Sequence, residues 1–194
     1  MCQNKNAMKI HIETERFLLR DLLATDAQDM FEMDSDPEVH KYLGNKPIKS
    51  IETMLEVIQH VRQQYETNGI GRWAVIDKAT NAWVGWSGLK YEQRITDGSR
   101  YYDVGYRLKR AFWGKGIATE TAQACIQYGF EQLNLEVLHA AAHVDNAASN
   151  RVLQKVGFKF IETFYYDTEL CNWYQLGKAD FFSQRKVVMK KDGF

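Results

Sequence analysis

The stretch that most restricts the fold runs from Val104 to Glu120, VGYRLKRAFWGKGIATE. Tyr101, Tyr102, Val104 and Tyr106 favour a strand, because β-branched and aromatic side chains fit a pleated surface. A short basic turn follows, Lys109-Arg110-Ala111-Phe112-Trp113, and then Gly114-Lys115-Gly116. Beyond it Ile117, Ala118, Thr121, Ala122, Cys125 and Tyr128 recur at helical steps. A strand that feeds a helix calls for a crossover, so the next strand lies parallel to the first. The helix start offers unpaired N–H groups and a partial positive charge. Glycines there let a ligand reach the main chain, which suits a phosphate or pyrophosphate. A plain left-handed turn with solvated lysines is the alternative these residues leave open. The P-loop spacing GxxxxGK[ST] is not met, and Thr119 stands where GxGxxG needs its third glycine.

The rest of the chain supplies partners for that unit. Glu15 to Asp21 reads as a strand, and Thr25 to Gln28 has capping-box form before a short helix with Ala27, Met30 and Phe31 on one side. Asp34-Ser-Asp-Pro37 stops that helix. Ser50 caps a longer one, with Ile51, Met54, Leu55, Ile58, Val61 and Tyr65 as its stripe and Asn68-Gly69 at its end. Arg72 to Asp77 and Ala82 to Tyr91 form a hairpin, in which Gly85 and Gly88 suggest a bulge or a close backbone approach. Tyr101 to Leu108 and Val137 to Val144 are strands on either side of the glycine turn and its helix. Asn146 to Lys155 is a helix, and Phe158 to Phe164 and Ala179 to Met189 are the last strands. The order βααβββαβαββ predicts a mixed α/β fold: a twisted, mostly antiparallel sheet of about seven strands, helices on both faces, and one parallel pair.

Two stretches carry a family resemblance. Trp113-Gly-Lys-Gly116-Ile-Ala118 resembles motif A of the GNAT superfamily of N-acetyltransferases, Gln/Arg-x-x-Gly-x-Gly/Ala. Gly116 and Ala118 match, and Trp113 stands at the Gln/Arg position, as in the RimJ/RimL-type branch. Residues Thr14 to Leu43 are similar to the N-terminal third of that branch. Asn146-Ala-Ala-Ser149 through Val152-Leu153-Gln-Lys155-Val-Gly-Phe158 resembles motif B. The resemblance implies the GNAT fold with a splayed central parallel pair, and acetyl-CoA as co-substrate. It implies cofactor contacts from Tyr106, Arg107 and Leu108, from Gly114, Lys115, Gly116, Ile117, Ala118 and Thr119, and from Asn146. Many relatives place a tyrosine acid seven residues after the motif-B Asn; here that residue is Leu153. The RimL type uses a serine instead, and Ser149 matches it as general acid, with a helix-start role as the alternative.

The reaction needs a neutral amine, a polarised thioester and a protonated leaving thiol. An N-terminal amine, with a reference pKa of about 7.7–8.0, asks less of a base than a lysine at about 10.4. The base stays unassigned. Asp167 and Glu169 lie in the segment where the RimL type carries a glutamate, though neither falls at its position; Asp103 and Glu92 are further candidates. The resemblance implies an acceptor that is a protein N-terminal amine or a small amine, with a polyamine or drug amine as the alternative enzyme reading and a non-catalytic CoA-binding module as a third. Leu43–Lys49 and Tyr165–Leu176 are taken as the acceptor loops.

Composition removes other classes. Lys plus Arg and Asp plus Glu both number 25, so the basic footprint of a nucleic-acid binder is missing. No apolar run is long enough for a membrane span, and no secretory signal is visible. Cys2, Cys125 and Cys171 are odd in number and widely spaced, which reads as free thiols in a cytoplasmic protein. His139 and His143 lie four apart in a strand rather than in HExxH on a helix, so no metal site is expected. Length suggests one domain over residues 1–194, with a flexible start over 1–9, working as a monomer or homodimer.

Overall fold

The computed structural model describes residues 8–94 and 97–183. Strands β1 (Ile10–Glu13) and β2 (Phe17–Arg20) are followed by helices α1 (Ala27–Asp34), α2 (Pro37–His40) and α3 (Ile51–Asn68). Strands β3 (Arg72–Asp77), β4 (Trp83–Gln93) and β5 (Arg100–Leu108) form a meander leading into α4 (Ile117–Glu131). Then come β6 (Val137–His143), α5 (Ala147–Lys155), β7 (Lys159–Tyr166) and β8 (Glu169–Gly177). All eight strands join one sheet in the order β1-β2-β3-β4-β5-β6-β8-β7. Only β5 and β6 pair in parallel, as the crossover through α4 requires.

The central strands are buried on both faces, so alternation along them sorts side chains between two cores. In β3, Ala74 and Ile76 pack with Met30, Met54, Ile58 and Val61 of α1 and α3. Trp73 and Val75 pack with Ile117 and Cys125 of α4 on the opposite face. A third cluster joins Leu89, Val104, Leu138 and Tyr174 to Ile126, Phe130 and Leu153 of α4 and α5. Gly85 and Gly88 sit where main chains close in. A Cβ on Gly88 would lie 2.5 Å from the Gly71 carbonyl, and one on Gly85 would lie 2.2 Å from that of Arg107. The β3–β4 register slips between Val75 and Ile76, so the expected bulge is present.

Several expectations are corrected. Thr25 does not cap α1; residues Ala24–Asp26 form a 3-10 turn, and the Asp26 carboxylate accepts from Leu23 N–H and Arg20 instead. Leu55, assigned to the buried stripe of α3, is 44% exposed. Asp36 caps a further short helix with Pro37 in its first turn, where only a stop was expected. Among the described residues the last strand is Glu169–Gly177, and the described part of the expected Ala179 to Met189 strand is not one. Residues 178–183 are helical, and residues 184–189 of that expectation lie outside the described residues. Both faces of β8 are covered, Cys171 and Trp173 on one and Tyr174 and Leu176 on the other, so it lacks the polar alternation of a half-buried strand. The stretch Tyr165–Leu176 is therefore mostly paired strand, with its turn confined to Asp167 and Thr168.

Candidate active site

Strands β5 and β6 meet at a single register pair, Asp103 with His139. β4 stays paired with β5 as far as Leu108, so the loss is on the β6 side alone. Val104 to Leu108 and Ala140 to His143 thus flank a gap in the sheet, and a cleft of about 1200 Å³ opens over it. Every site residue singled out from the sequence lines this cleft except Lys115.

The floor at one end is the start of α4. Gly116 is the N-cap residue at φ +76°, a left-handed conformation that glycine adopts without strain, and Gly114 has φ +74°. No side chain caps this helix. The N–H groups of its first turn are left for a ligand. Glu120, which could have folded back over that turn, is held aside by Thr14 Oγ1 at 2.7 Å and Arg16 Nε at 2.7 Å. Burial pushes the Glu120 carboxyl up, but those hydrogen bonds win and hold it below the usual range. Arg16 also donates to the Lys115 carbonyl at 3.2 Å, which pins the turn from behind.

The basic turn is less basic than its sequence. Lys109 Nζ is 2.6 Å from Asp29 and 2.8 Å from Glu32 of α1. Arg110 pairs with Asp36 at 3.1 Å. These cations anchor the turn to α1 and to the start of α2. Lys115 lies over the Phe112 ring at 5.3 Å, outside the cleft lining. Trp113 donates its indole N–H to the Leu108 carbonyl at 2.9 Å and remains 44% exposed. At this end of the cleft the groups open to a phosphate are the main-chain N–H groups of the α4 start.

The other wall is α5. Asn146 caps it, its Oδ1 accepting from Ser149 N–H at 3.0 Å. Ser149 Oγ lies 3.1 Å from the Tyr106 phenol oxygen, so β5 and α5 touch through two hydroxyls. Leu153 belongs to the core, 2% exposed, and has no proton to give. Asn150, also buried, ties α5 to the sheet: its Nδ2 donates to the His143 carbonyl, and its Oδ1 accepts from Asn172 and the Tyr174 phenol.

The opposite side is lined by α2 and the segment after it, β4, β5 and the β7–β8 turn. Three of the six carboxylates that line the cleft are matched by cations. Asp34 accepts from Arg107 at 2.7 Å, Asp103 is paired with Arg72, and Glu92 with Lys90. Burial raises the Asp103 carboxyl against the pull of Arg72. Asp167 sits in the turn at φ +53°. Glu169 differs: its partner is His143 Nε2 at 3.2 Å. His143 Nδ1 accepts from Asp145 N–H at 3.1 Å. A main-chain N–H can only donate, so Nδ1 is the acceptor in that contact. Sequence reasoning found no metal spacing at His143 and gave it no role; only the adjacency of β6 and β8 brings it to Glu169. Cys125 is fully buried and its thiol is pushed up to about 12 by that burial.

Comparison with known proteins agrees with this geometry. The Acetyltransferase (GNAT) domain profile matches residues 16–159. The uncharacterized N-acetyltransferase YoaA of Bacillus subtilis is 32% identical over 148 residues, which are 76% of this chain and 82% of YoaA. Spermidine N(1)-acetyltransferase of Escherichia coli is 25% identical over 141 residues, 72% of this chain and 71% of that one. The fold is shared with RimL, a ribosomal L7/L12 alpha-N-protein acetyltransferase, in complex with coenzyme A. The TM-score is 0.71 at 16% identity, covering 87% of this chain and 98% of RimL.

Proposed function

The chain belongs to the GNAT acetyltransferase family, and on that premise we propose that it moves acetyl from acetyl-CoA directly to the α-amine of a polypeptide N-terminus. One observation carries the reading. The uncapped start of α4 and the Ser149 hydroxyl share a cleft that opens where β5 leaves β6. In this reading the pyrophosphate rests on the main chain of Gly114 to Thr119, and the pantetheine arm runs past Asn146 into the gap. A main-chain N–H of Tyr106 to Leu108 polarises the thioester carbonyl. Glu169, oriented by His143, takes the proton of the attacking amine. Ser149 passes a proton to the departing thiolate.

Asp34, Glu92 and Asp103 line the cleft, but each is matched by a cation that lines it too: Arg107, Lys90 and Arg72. Glu38, Asp167 and Glu169 line it without a Lys or Arg partner among the described residues, so charge admits a polyamine as well as a single amine. A single α-amine asks for one base and is nearly half neutral at about pH 7.7. The W-GKG-A sequence at Trp113 to Ala118 and the serine at 149 support the RimJ/RimL-type branch. A polyamine acceptor is the second reading, favoured by the sequence similarity to the spermidine enzyme.

Thiol release from acetyl-CoA tests both. Peptides with free N-termini should release thiol, and the same peptides with blocked N-termini should not. Turnover of spermidine with none of the free peptides would replace the first reading by the second.

A further inference from the structure

Tyr106 and Ser149 face each other across the gap, one on a strand and the other on the opposing helix. The phenol oxygen is 3.1 Å from Ser149 Oγ and 3.2 Å from the Ser149 carbonyl oxygen. A phenol has one proton to donate, and a carbonyl can only accept. If that proton goes to the carbonyl, the serine must donate to the phenol, and its own proton is turned away from the cleft. If it goes to Oγ, the serine proton is free to point into the cleft. The choice between the two arrangements thus governs whether Ser149 can serve as a donor.

We propose that Tyr106 is the positioning residue for proton delivery to the leaving thiolate, acting through Ser149. The inference rests on the reading of Ser149 as the proton donor. As the C–S bond breaks, its electron pair goes to sulfur. The Ser149 proton moves to sulfur, and a solvent water in the open cleft replaces it. The Tyr106 O–H holds Oγ throughout and stabilises the negative charge that builds on it; the phenol keeps its own proton. Burial raises the phenol well above its ordinary range, so it remains a neutral donor at working pH. Leu153, which packs in the core beside α5, leaves this pair of hydroxyls as the proton-bearing contact between β5 and α5.

The test is a double-mutant cycle on the full-length enzyme with Tyr106→Phe, Ser149→Ala and both together. Tyr106→Phe removes one oxygen and leaves the ring packed. It should lower kcat about tenfold, the weight of one hydrogen bond, with KM for acetyl-CoA unchanged and Tm lowered by only a few degrees. Ser149→Ala should lower kcat by about 10²-fold. Groups that act as a unit are not additive, so Tyr106→Phe should cost nothing further in the Ser149→Ala background. Wild-type kcat for Tyr106→Phe beside a slow Ser149→Ala would overturn the inference while leaving Ser149 in place. Equal losses from Tyr106→Phe in both backgrounds would overturn it too, because the phenol would then act without the serine. Wild-type kcat for Ser149→Ala would remove the reading beneath it and the inference together.

Discussion

Asp103 is the one residue of β5 in register with β6, opposite His139, and its carboxylate is held by Arg72 of β3. The point where the sheet parts is thus an ion pair reaching across β4. Arg72 also donates to the Gly88 carbonyl and to the Asp103 carbonyl, so a single guanidinium fixes three strands. Breaking a buried pair by removing one partner leaves an uncompensated charge and costs about 3–5 kcal/mol. Arg72→Met should therefore lower stability by about 3 kcal/mol in urea unfolding, at the low end because the pair keeps some exposure. The double variant Arg72→Met, Asp103→Asn should recover part of the loss. No recovery would mean that Arg72 acts through its carbonyl contacts alone.

Gly116→Val tests the phosphate end. At φ +76° a β-branched residue is strained by about 1–3 kcal/mol whatever space surrounds it. Space itself is not the obstacle inside the protein, since a Cβ there would meet only Arg16 Nη2, at 3.7 Å. The turn must then rearrange, and the N–H groups it aims are lost to the ligand. CoA affinity by calorimetry should fall at least tenfold. Unchanged affinity would remove Gly114 to Thr119 from the cofactor contacts.

Much of this was legible in the sequence because it is local. Gly116 followed by the periodic run Ile117, Thr121, Ala122 and Cys125 announces a helix start, and Asn146 with Ser149 announces another. The crossover between Leu108 and Val137 then requires a parallel pair. What stayed hidden depends on residues distant in the chain. Lys109 and Arg110 look free for a phosphate until α1 and α2 supply Asp29, Glu32 and Asp36. Tyr106 and Ser149 are 43 residues apart, and no periodicity couples them. Glu169 meets His143 only because β8 lies beside β6, and β8 itself is masked by apolar residues on both of its faces.

Cys125→Ala should leave catalysis intact. The thiolate is the nucleophilic form, and a thiol pushed up to about 12 holds almost none at neutral pH. The variant should keep wild-type kcat and lose about 1 kcal/mol from the small cavity left beside Ser87. Initial-rate lines should intersect, as for a ternary complex. Parallel lines together with a labelled cysteine would contradict direct transfer.

Stability should fall with acidification below about pH 6.5, the ordinary histidine value. His11, His40 and His139 all titrate below that value, with burial as the largest cause in each. As pH drops, the unfolded chain takes up these protons before the folded one does. Stability therefore declines from the unfolded pKa down through the folded values. Tm should be lower at pH 5.5 than at pH 7.5. His139→Phe, which keeps a ring against Trp173 at the site of the present 5.0 Å stack, should show a smaller decline. Equal declines in variant and wild type would clear His139 of the effect.

Glu169→Gln addresses the base. His143 Nδ1 already accepts from Asp145 N–H, and Nε2 lies against the Glu169 carboxylate, which leaves Glu169 as the basic group open to a substrate. The carboxylate lies 3.2 Å from His143 Nε2 and has lone pairs for an incoming ammonium. Asp103 and Glu92 are less suited, since each is matched by a cation. The amide conserves shape and removes basicity, and kcat/KM at pH 7 should fall by about 10²-fold. The deficit should shrink as pH rises past the acceptor's own pKa, about 7.7–8.0 for an α-amine, because a neutral amine then arrives without help. An alkyl amine near pKa 10.4 would shift that recovery more than two pH units higher, so the same profile reports the acceptor class. His143→Ala should give a smaller loss, since the carboxylate remains and only its orientation is released. Wild-type kcat/KM across the whole range for Glu169→Gln would return the base to solvent.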